Sequence, residues 1–196
     1  MEPLNTYFKE GAKIFSMREE EIIAQIAEGR EEALKKLILM YNSRLFSYAY
    51  GLLQNYEDAE EAVAETFFQV WRSARNFKGG SKVSTWLFGV CRNVIRNMLR
   101  KKMKELKTLE LMERDAVSEE LPIPEDVHMV RRALEALPPT HREVLHLVFY
   151  EELPYEEVAK VLGIPLNTVK TRVFYAKRRL LEAIKEVSGE GYKGGL

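Results

Sequence analysis

A single cysteine, Cys91, stands in a chain of 196 residues, so neither an intrachain disulfide nor a cysteine-rich zinc site can form. Its thiol reads as a small buried apolar side chain. Histidine is nearly as scarce, at three residues. His141 and His146 lie about 140° apart around a helix, which denies them a shared metal-binding face. No glycine loop of the Walker type occurs. The expectation is therefore a protein that is not an enzyme, with no catalytic residue, metal, cofactor or small-molecule substrate. Long apolar runs are missing too. None approaches the roughly 18 residues that a membrane span needs, and the N-terminus has no apolar stretch of signal-peptide length. A soluble, cytoplasmic protein is expected.

Net charge is also absent, with 30 basic residues against 30 acidic ones. The balance hides a strong segregation. Residues 92–107 hold seven cations (Arg92, Arg96, Arg100, Lys101, Lys102, Lys104, Lys107) and one acid, Glu105. Residues 108–126 reverse this, with seven acids and only Arg114 opposing them. A polyanion responds to the local field, so sorted charge keeps a nucleic-acid partner open where the sum would exclude it.

What the chain does have is a helix-turn-helix pattern at residues 153–180. Val158, Ala159 and Leu162 share one face of a first short helix, and Val169, Val173, Ala176 and Leu180 recur at helical spacing on a second. Gly163 can adopt the left-handed conformation that ends a helix, and Pro165 lacks the N–H needed to continue one. The second helix carries five basic residues and no acid up to Leu180. Lys170, Thr171, Arg172, Phe174, Tyr175, Lys177 and Arg178 point away from its apolar stripe, where cations reach phosphates and N-terminal residues reach base edges in a major groove.

Strand signals are scarce, and the periodicity predicts an all-α protein with helices near 18–29, 31–53, 57–74, 84–107, 127–137, 140–151, 155–162 and 167–186. In the third, Asn55 is the expected N-cap, with Ala59, Ala62, Val63, Phe67, Val70, Trp71 and Ala74 as the buried stripe. Acids and the Leu121-Pro122-Ile123-Pro124 run interrupt the pattern, giving two small helical domains, 18–102 and 128–187, joined by a flexible linker at 103–127. Fully extended, that linker spans at most about 85 Å, roughly two and a half turns of duplex. Residues 1–17 and the tail from Ser188 carry no clear signal and are expected to be partly disordered.

A second nucleic-acid surface is predicted on 84–102. Leu87, Val90, Cys91, Val94, Ile95, Met98 and Leu99 form its apolar face, and Arg92, Asn93, Arg96, Asn97 and Arg100 gather opposite. Arg and Asn at helical spacing can hold phosphates and hydrogen-bond exposed bases. Phe77 and Trp86 flank the Gly79-Gly80 loop, where an unstacked base could be received, although a lone Trp such as Trp86 is more often a core residue than a base platform.

The stretch Tyr56-Glu57-Asp58-Ala59-Glu60-Glu61-Ala62-Val63-Ala64-Glu65-Thr66-Phe67, followed by Phe77-Lys78-Gly79-Gly80, Thr85-Trp86-Leu87 and Arg92-Asn93, resembles region 2 of the extracytoplasmic-function group of bacterial sigma-70 factors. Leu137-Pro138-Pro139, Glu143-Val144-Leu145, Tyr155-Glu156-Glu157-Val158-Ala159 and Thr168-Val169-Lys170-Thr171-Arg172 resemble their region 4. The resemblance covers about residues 30–102 and 128–187. It implies a sigma factor that binds core RNA polymerase and directs promoter recognition, DNA melting and transcription initiation. Asp58, Ala59, Glu61, Glu65, Thr66 and Gln69 would dock on the β′ clamp helices, and residues around 128–150 would meet the β-flap. Asn76, Phe77, Lys78 and Trp86, with Arg92, Asn93, Arg96, Asn97 and Arg100, would melt and read the minus-ten element. The second helix of the helix-turn-helix would sit at the minus-thirty-five element. The resemblance also implies an anti-sigma protein as a silencing partner and a monomer when free. Three positions depart from the family pattern: Ala64 replaces the usual Gln, Val83 a common aromatic, and Tyr175 a frequent basic residue. The alternative reading of the residues is a polymerase-independent helix-turn-helix regulator that dimerises on a palindrome.

If 103–127 is the linker, limited proteolysis of the free chain cuts there first and leaves resistant fragments near 18–102 and 128–187. Mass spectrometry of the early fragments checks this, and first cleavage within 57–100 would overturn the two-domain division.

Overall fold

The computed structural model describes the backbone of residues 18–109 and 125–191, and every regular element within them is helical. The first domain holds α1 (Glu19–Ala27), α2 (Glu31–Leu53), α3 (Tyr56–Ser73), a 3-10 turn (Ala74–Asn76) and α4 (Val83–Leu109). The second holds α5 (Glu125–Glu135), α6 (Pro139–Leu145), a π-helical turn (His146–Tyr150), α7 (Tyr155–Leu162) and α8 (Leu166–Gly191). The all-α architecture of two helical domains is thus the one the periodicity predicts.

Local chemistry explains the element ends. The Asn55 side chain accepts from the Asp58 amide at 2.8 Å, while Glu57 and Asp58 sit in the first turn of α3, so cap and helix dipole act together. Gln54 closes α2 in the left-handed region, at φ 53°. At the C-terminus of α7, Gly163 takes φ 62°, and the Ile164 amide donates to the Ala159 carbonyl at 3.1 Å. A side chain at that backbone conformation would be strained, which is why glycine makes the turn there.

Burial follows the stripes. Ala59, Ala62, Val63, Phe67 and Val70 of α3 are buried, as are Ile22, Ile23 and Ile26 of α1, Leu37, Tyr41, Leu45 and Tyr48 of α2, and Leu87, Phe88 and Ile95 of α4. The Tyr48 and Phe88 rings meet edge-on at 5.3 Å, a favoured aromatic geometry. In the second domain Val158, Val161 and Leu162 pack with Val169, Val173 and Ala176; Ala159 and Leu180 are half-buried.

Several boundaries differ from expectation. α4 runs on to Leu109 and α5 begins at Glu125, so both intrude into the expected linker at 103–127. The remaining connector, 110–124, lies outside the described residues, as do 1–17 and 192–196. α8 continues past Ser188 to Gly191. The expected helix 140–151 changes pitch at His146, and this turn leaves Phe149 and Tyr150 exposed.

The largest difference is between domains. The sequence suggests modules independent of each other, whereas α6 and α7 pack on α2 and α4. Arg44 donates twice to Glu151, at 2.6 and 2.9 Å. Glu143 accepts from Tyr48 at 2.9 Å and from Arg92 at 2.7 Å. Arg142 donates to the Gly51 carbonyl at 3.0 Å and Arg131 to the Tyr50 hydroxyl at 2.9 Å.

Two measurements test this packing. Asn55→Ala, which removes the α3 cap, is expected to cost about 1 kcal/mol in chemical denaturation. Burial pushes the Cys91 thiol up to about 12, against the weaker downward pull of the neighbouring Thr66 hydroxyl. A thiol reagent at pH 8 is therefore expected to leave Cys91 unmodified until the first domain unfolds.

Candidate nucleic-acid interface

On α8 the buried stripe of Val169, Val173 and Ala176 fixes the helix against its own domain and turns the opposite face outward. Lys170, Thr171, Phe174, Tyr175, Lys177 and Arg178 are exposed and Arg172 is half-buried, so the structure brings all seven expected residues to one helix. Thr171 Oγ1 donates back to the Asn167 carbonyl at 2.9 Å. Phe174 and Tyr175 are in edge contact at 5.4 Å. Lys177 Nζ sits 4.6 Å from the centre of the Phe149 ring, and Arg178 lies 3.7 Å from Glu182. Burial, then the charges of Arg179 and Arg172, lower the pKa of His141. A neutral imidazole there leaves the cationic character to the lysines and arginines.

The second surface is centred on the loop from Asn76 to Lys82 and the outward side of α4. Asn76 and Lys78 are exposed; Phe77 and Trp86 are half-buried with ring centres 5.1 Å apart. This pair presents a partly open aromatic edge beside Gly79 and Gly80, a setting that can receive a base. Asn93, Arg96, Asn97 and Arg100 are exposed in succession along α4. Arg100 donates to Asn97 Oδ1 at 2.9 Å and to the Arg96 carbonyl at 3.3 Å, which holds the guanidinium along the helix. Arg92 departs from the set. It faces the second domain, and its guanidinium is engaged by Glu143. Val83, one of the three departures, is fully buried.

The expected docking set on α3 divides in two. Glu61 and Glu65 are exposed, and Asp58 and Gln69 are half-buried. Asp58 pairs with Lys102, and Gln69 donates to Glu65 at 3.0 Å. Ala59 and Thr66 do not belong on a docking surface. Both are fully buried, with Thr66 Oγ1 bonded to the Ala62 carbonyl at 2.6 Å. Residues contiguous in a motif alternate around a helix, so part of any such stretch faces the core. Phe68 was not anticipated. It stands 53% exposed on this helix with Arg72 5.6 Å from its ring, a large apolar side chain among acids, and its place off the α3 stripe was the available signal.

Two further features were invisible in the sequence. α7 packs on α4 of the first domain, with Lys160 Nζ 3.4 Å from the Gly80 carbonyl of the exposed loop. The Glu157 carboxylate is held below its usual range chiefly by the hydrogen bond from Lys160, at 2.8 Å. Elsewhere between the domains, α2, α5, α6, the π-helical turn and α8 line an open, mainly apolar cavity of about 1200 Å³, with Phe46, Tyr50, Val130, Leu134, Phe149 and Leu181 among its walls. Among the described residues, no helix is long and apolar enough to cross a membrane.

Comparison with known proteins agrees with this geometry. The model of Sigma-70 region 2 matches residues 37–105, and that of Sigma-70, region 4 matches residues 128–180. The ECF RNA polymerase sigma factor SigE of Mycolicibacterium smegmatis is 31% identical over 162 residues, covering 79% of this chain and 63% of that protein. The chain thus spans somewhat less than two thirds of that relative. It spans 97% of the RNA polymerase sigma-H factor of Pseudomonas aeruginosa, at 24% identity and 88% of this chain. Among solved structures, the sigma factor RpoE of Bartonella quintana, in complex with the anti-sigma factor NepR, superposes with a TM-score of 0.66 at 28% identity, covering 77% of this chain and 96% of that one. CnrH, in complex with the cytosolic domain of CnrY, shares the fold with a TM-score of 0.63 at 21% identity, covering 86% of this chain and 97% of that one. With its two cationic helix faces falling one in each matched region, this chain belongs to the sigma-70 family, in its extracytoplasmic-function (ECF) group.

Proposed function

We propose that this chain joins core RNA polymerase in the cytoplasm and selects promoters, acting by recruitment and DNA opening rather than by catalysis. The observation that carries this reading is the presence of two separate cationic helix faces, on α4 and α8, in the chain order of regions 2 and 4. Asp58, Glu61, Glu65, Phe68 and Gln69 supply the face for the β′ clamp helices, and the 128–150 segment meets the β-flap. Asn76, Phe77, Lys78, Trp86, Asn93, Arg96, Asn97 and Arg100 open and read the minus-ten element. Arg92 joins them once it is released from Glu143. α8 enters the major groove at the minus-thirty-five element, with Tyr175 adding ring stacking or a hydroxyl where a cation is frequent. An anti-sigma protein is the antagonist that suits the apolar cavity between the domains.

In vitro transcription with core polymerase and a promoter library tests this directly. The expected result is specific initiation that needs both polymerase and this chain. Tight binding of a dimer to a palindrome without polymerase would instead support a self-sufficient regulator.

The two DNA surfaces are also separable. Lys170→Ala or Arg172→Ala is expected to weaken upstream contact, lowering the salt slope of binding by about one unit for a phosphate contact or costing about 1–3 kcal/mol for a base contact. Opening of promoter already docked should change little, as read by permanganate reactivity of unpaired thymines. Equal loss of both activities would refute the division of labour.

A further inference from the structure

We propose that Asn167, in the first turn of α8, is a specificity-determining residue whose side-chain amide reads one adenine in the major groove of the upstream promoter element. The inference deepens the sigma reading and rests on it for the DNA that α8 meets. Its geometry comes from the helix itself. Val169, Val173 and Ala176 are buried and Leu180 is half-buried along one side. Two residues before each of them, about 200° around the helix, stand Asn167, Thr171, Phe174 and Arg178, and all four are exposed. They form the line of α8 farthest from its own core, and so the line that meets the floor of a groove.

The four are not equivalent. The Thr171 hydroxyl is spent on the Asn167 backbone carbonyl at 2.9 Å. Phe174 offers an apolar ring in edge contact with Tyr175. Arg178 lies 3.7 Å from Glu182, and about 16 Å of helix separates it from Asn167. α8 begins at Leu166, so Asn167 is placed where a recognition helix first meets base edges. Its side chain has no partner among the described residues, which leaves both the amide oxygen and the amide N–H groups to pair with a ligand.

A donor and an acceptor side by side match one base edge. Adenine presents N7 as acceptor and N6–H as donor, whereas guanine presents two acceptors, cytosine a donor, and thymine an acceptor beside a methyl. Lys170 is exposed and Arg172 half-buried, one to either side of the Asn167 line. There their charge suits the phosphates along the groove walls. The cations set the helix in place, and the neutral amide chooses the base.

Selection from a randomised duplex library tests the assignment, run with the full chain alone and again with core polymerase. The wild type is expected to enrich adenine at one upstream position, and Asn167→Ala to lose that preference while keeping the others. Asn167→Asp presents acceptors only and is expected to move the preference to cytosine at the same position. Replacing that adenine by 7-deazaadenine, which lacks N7, should weaken wild-type binding about tenfold and leave Asn167→Ala unaffected.

A residue that only supported the helix would not move the preferred base. Asn167→Ala keeps the backbone carbonyl that Thr171 bonds and substitutes a better helix former, so α8 is retained. Should helical content fall, Asn167→Asp decides by its move to cytosine. If Asn167→Ala still selects adenine, or weakens every duplex equally, the assignment is overturned. Adenine selected by the wild type and lost in Asn167→Ala, in a chain that never initiates with core polymerase, leaves the assignment standing and removes the sigma reading. Initiation with a base preference indifferent to position 167 does the reverse.

Discussion

A carboxylate removed from water requires donors, and the donors of Glu143 come from two helices that the chain places 95 and 51 residues away. This requirement organises the molecule. Tyr48 and Arg92 stand on α2 and α4, so satisfying one side chain of α6 fixes the second domain against both. Glu151 repeats the device at the end of the π-helical turn, with Arg44 as donor. Neither acid could be buried alone, because an unpaired charge in such a setting costs several kcal/mol. The cavity between α2 and α8, the packing of α7 on α4, and the inward turn of Arg92 all accompany that pairing.

The helices were legible because their information is local. Period-3.6 stripes, the Asn55 cap and the Gly163 turn are each written within a few residues, and α2 and α7 match their predicted ranges of 31–53 and 155–162. The overrun of α4 to Leu109 has a local cause that was underweighted. Lys, Met, Glu and Leu after Arg100 are all good helix formers, so charge segregation there does not mark an unstructured segment. The burial of Ala59 and Thr66 was legible too, since Ala59 lies on the α3 stripe already assigned to the core. Carrying a motif over as a contiguous block hid that conflict.

The interdomain contacts were not legible. Glu143 sits in a helix whose sequence gives it the same pattern as a solvated acid, and its partners are named by no spacing rule. Arg44 and Glu151 are 107 residues apart. Arg92 illustrates the same limit from the other side. Its periodicity places it correctly on the polar face of α4, but periodicity does not say whether water, DNA or another domain meets that face.

The two cationic faces are unequal in this arrangement. Lys170, Thr171, Phe174 and Tyr175 of α8 remain exposed with the domains docked, and so do Asn76, Lys78, Asn93, Arg96, Asn97 and Arg100 of the first domain, whereas Arg92 is engaged by Glu143. Docking of the second domain therefore withdraws one guanidinium from the α4 face and leaves the rest of that face open. A partner that held the domains apart would have to make contacts absent from the docked form, because a ligand that binds both forms equally shifts nothing.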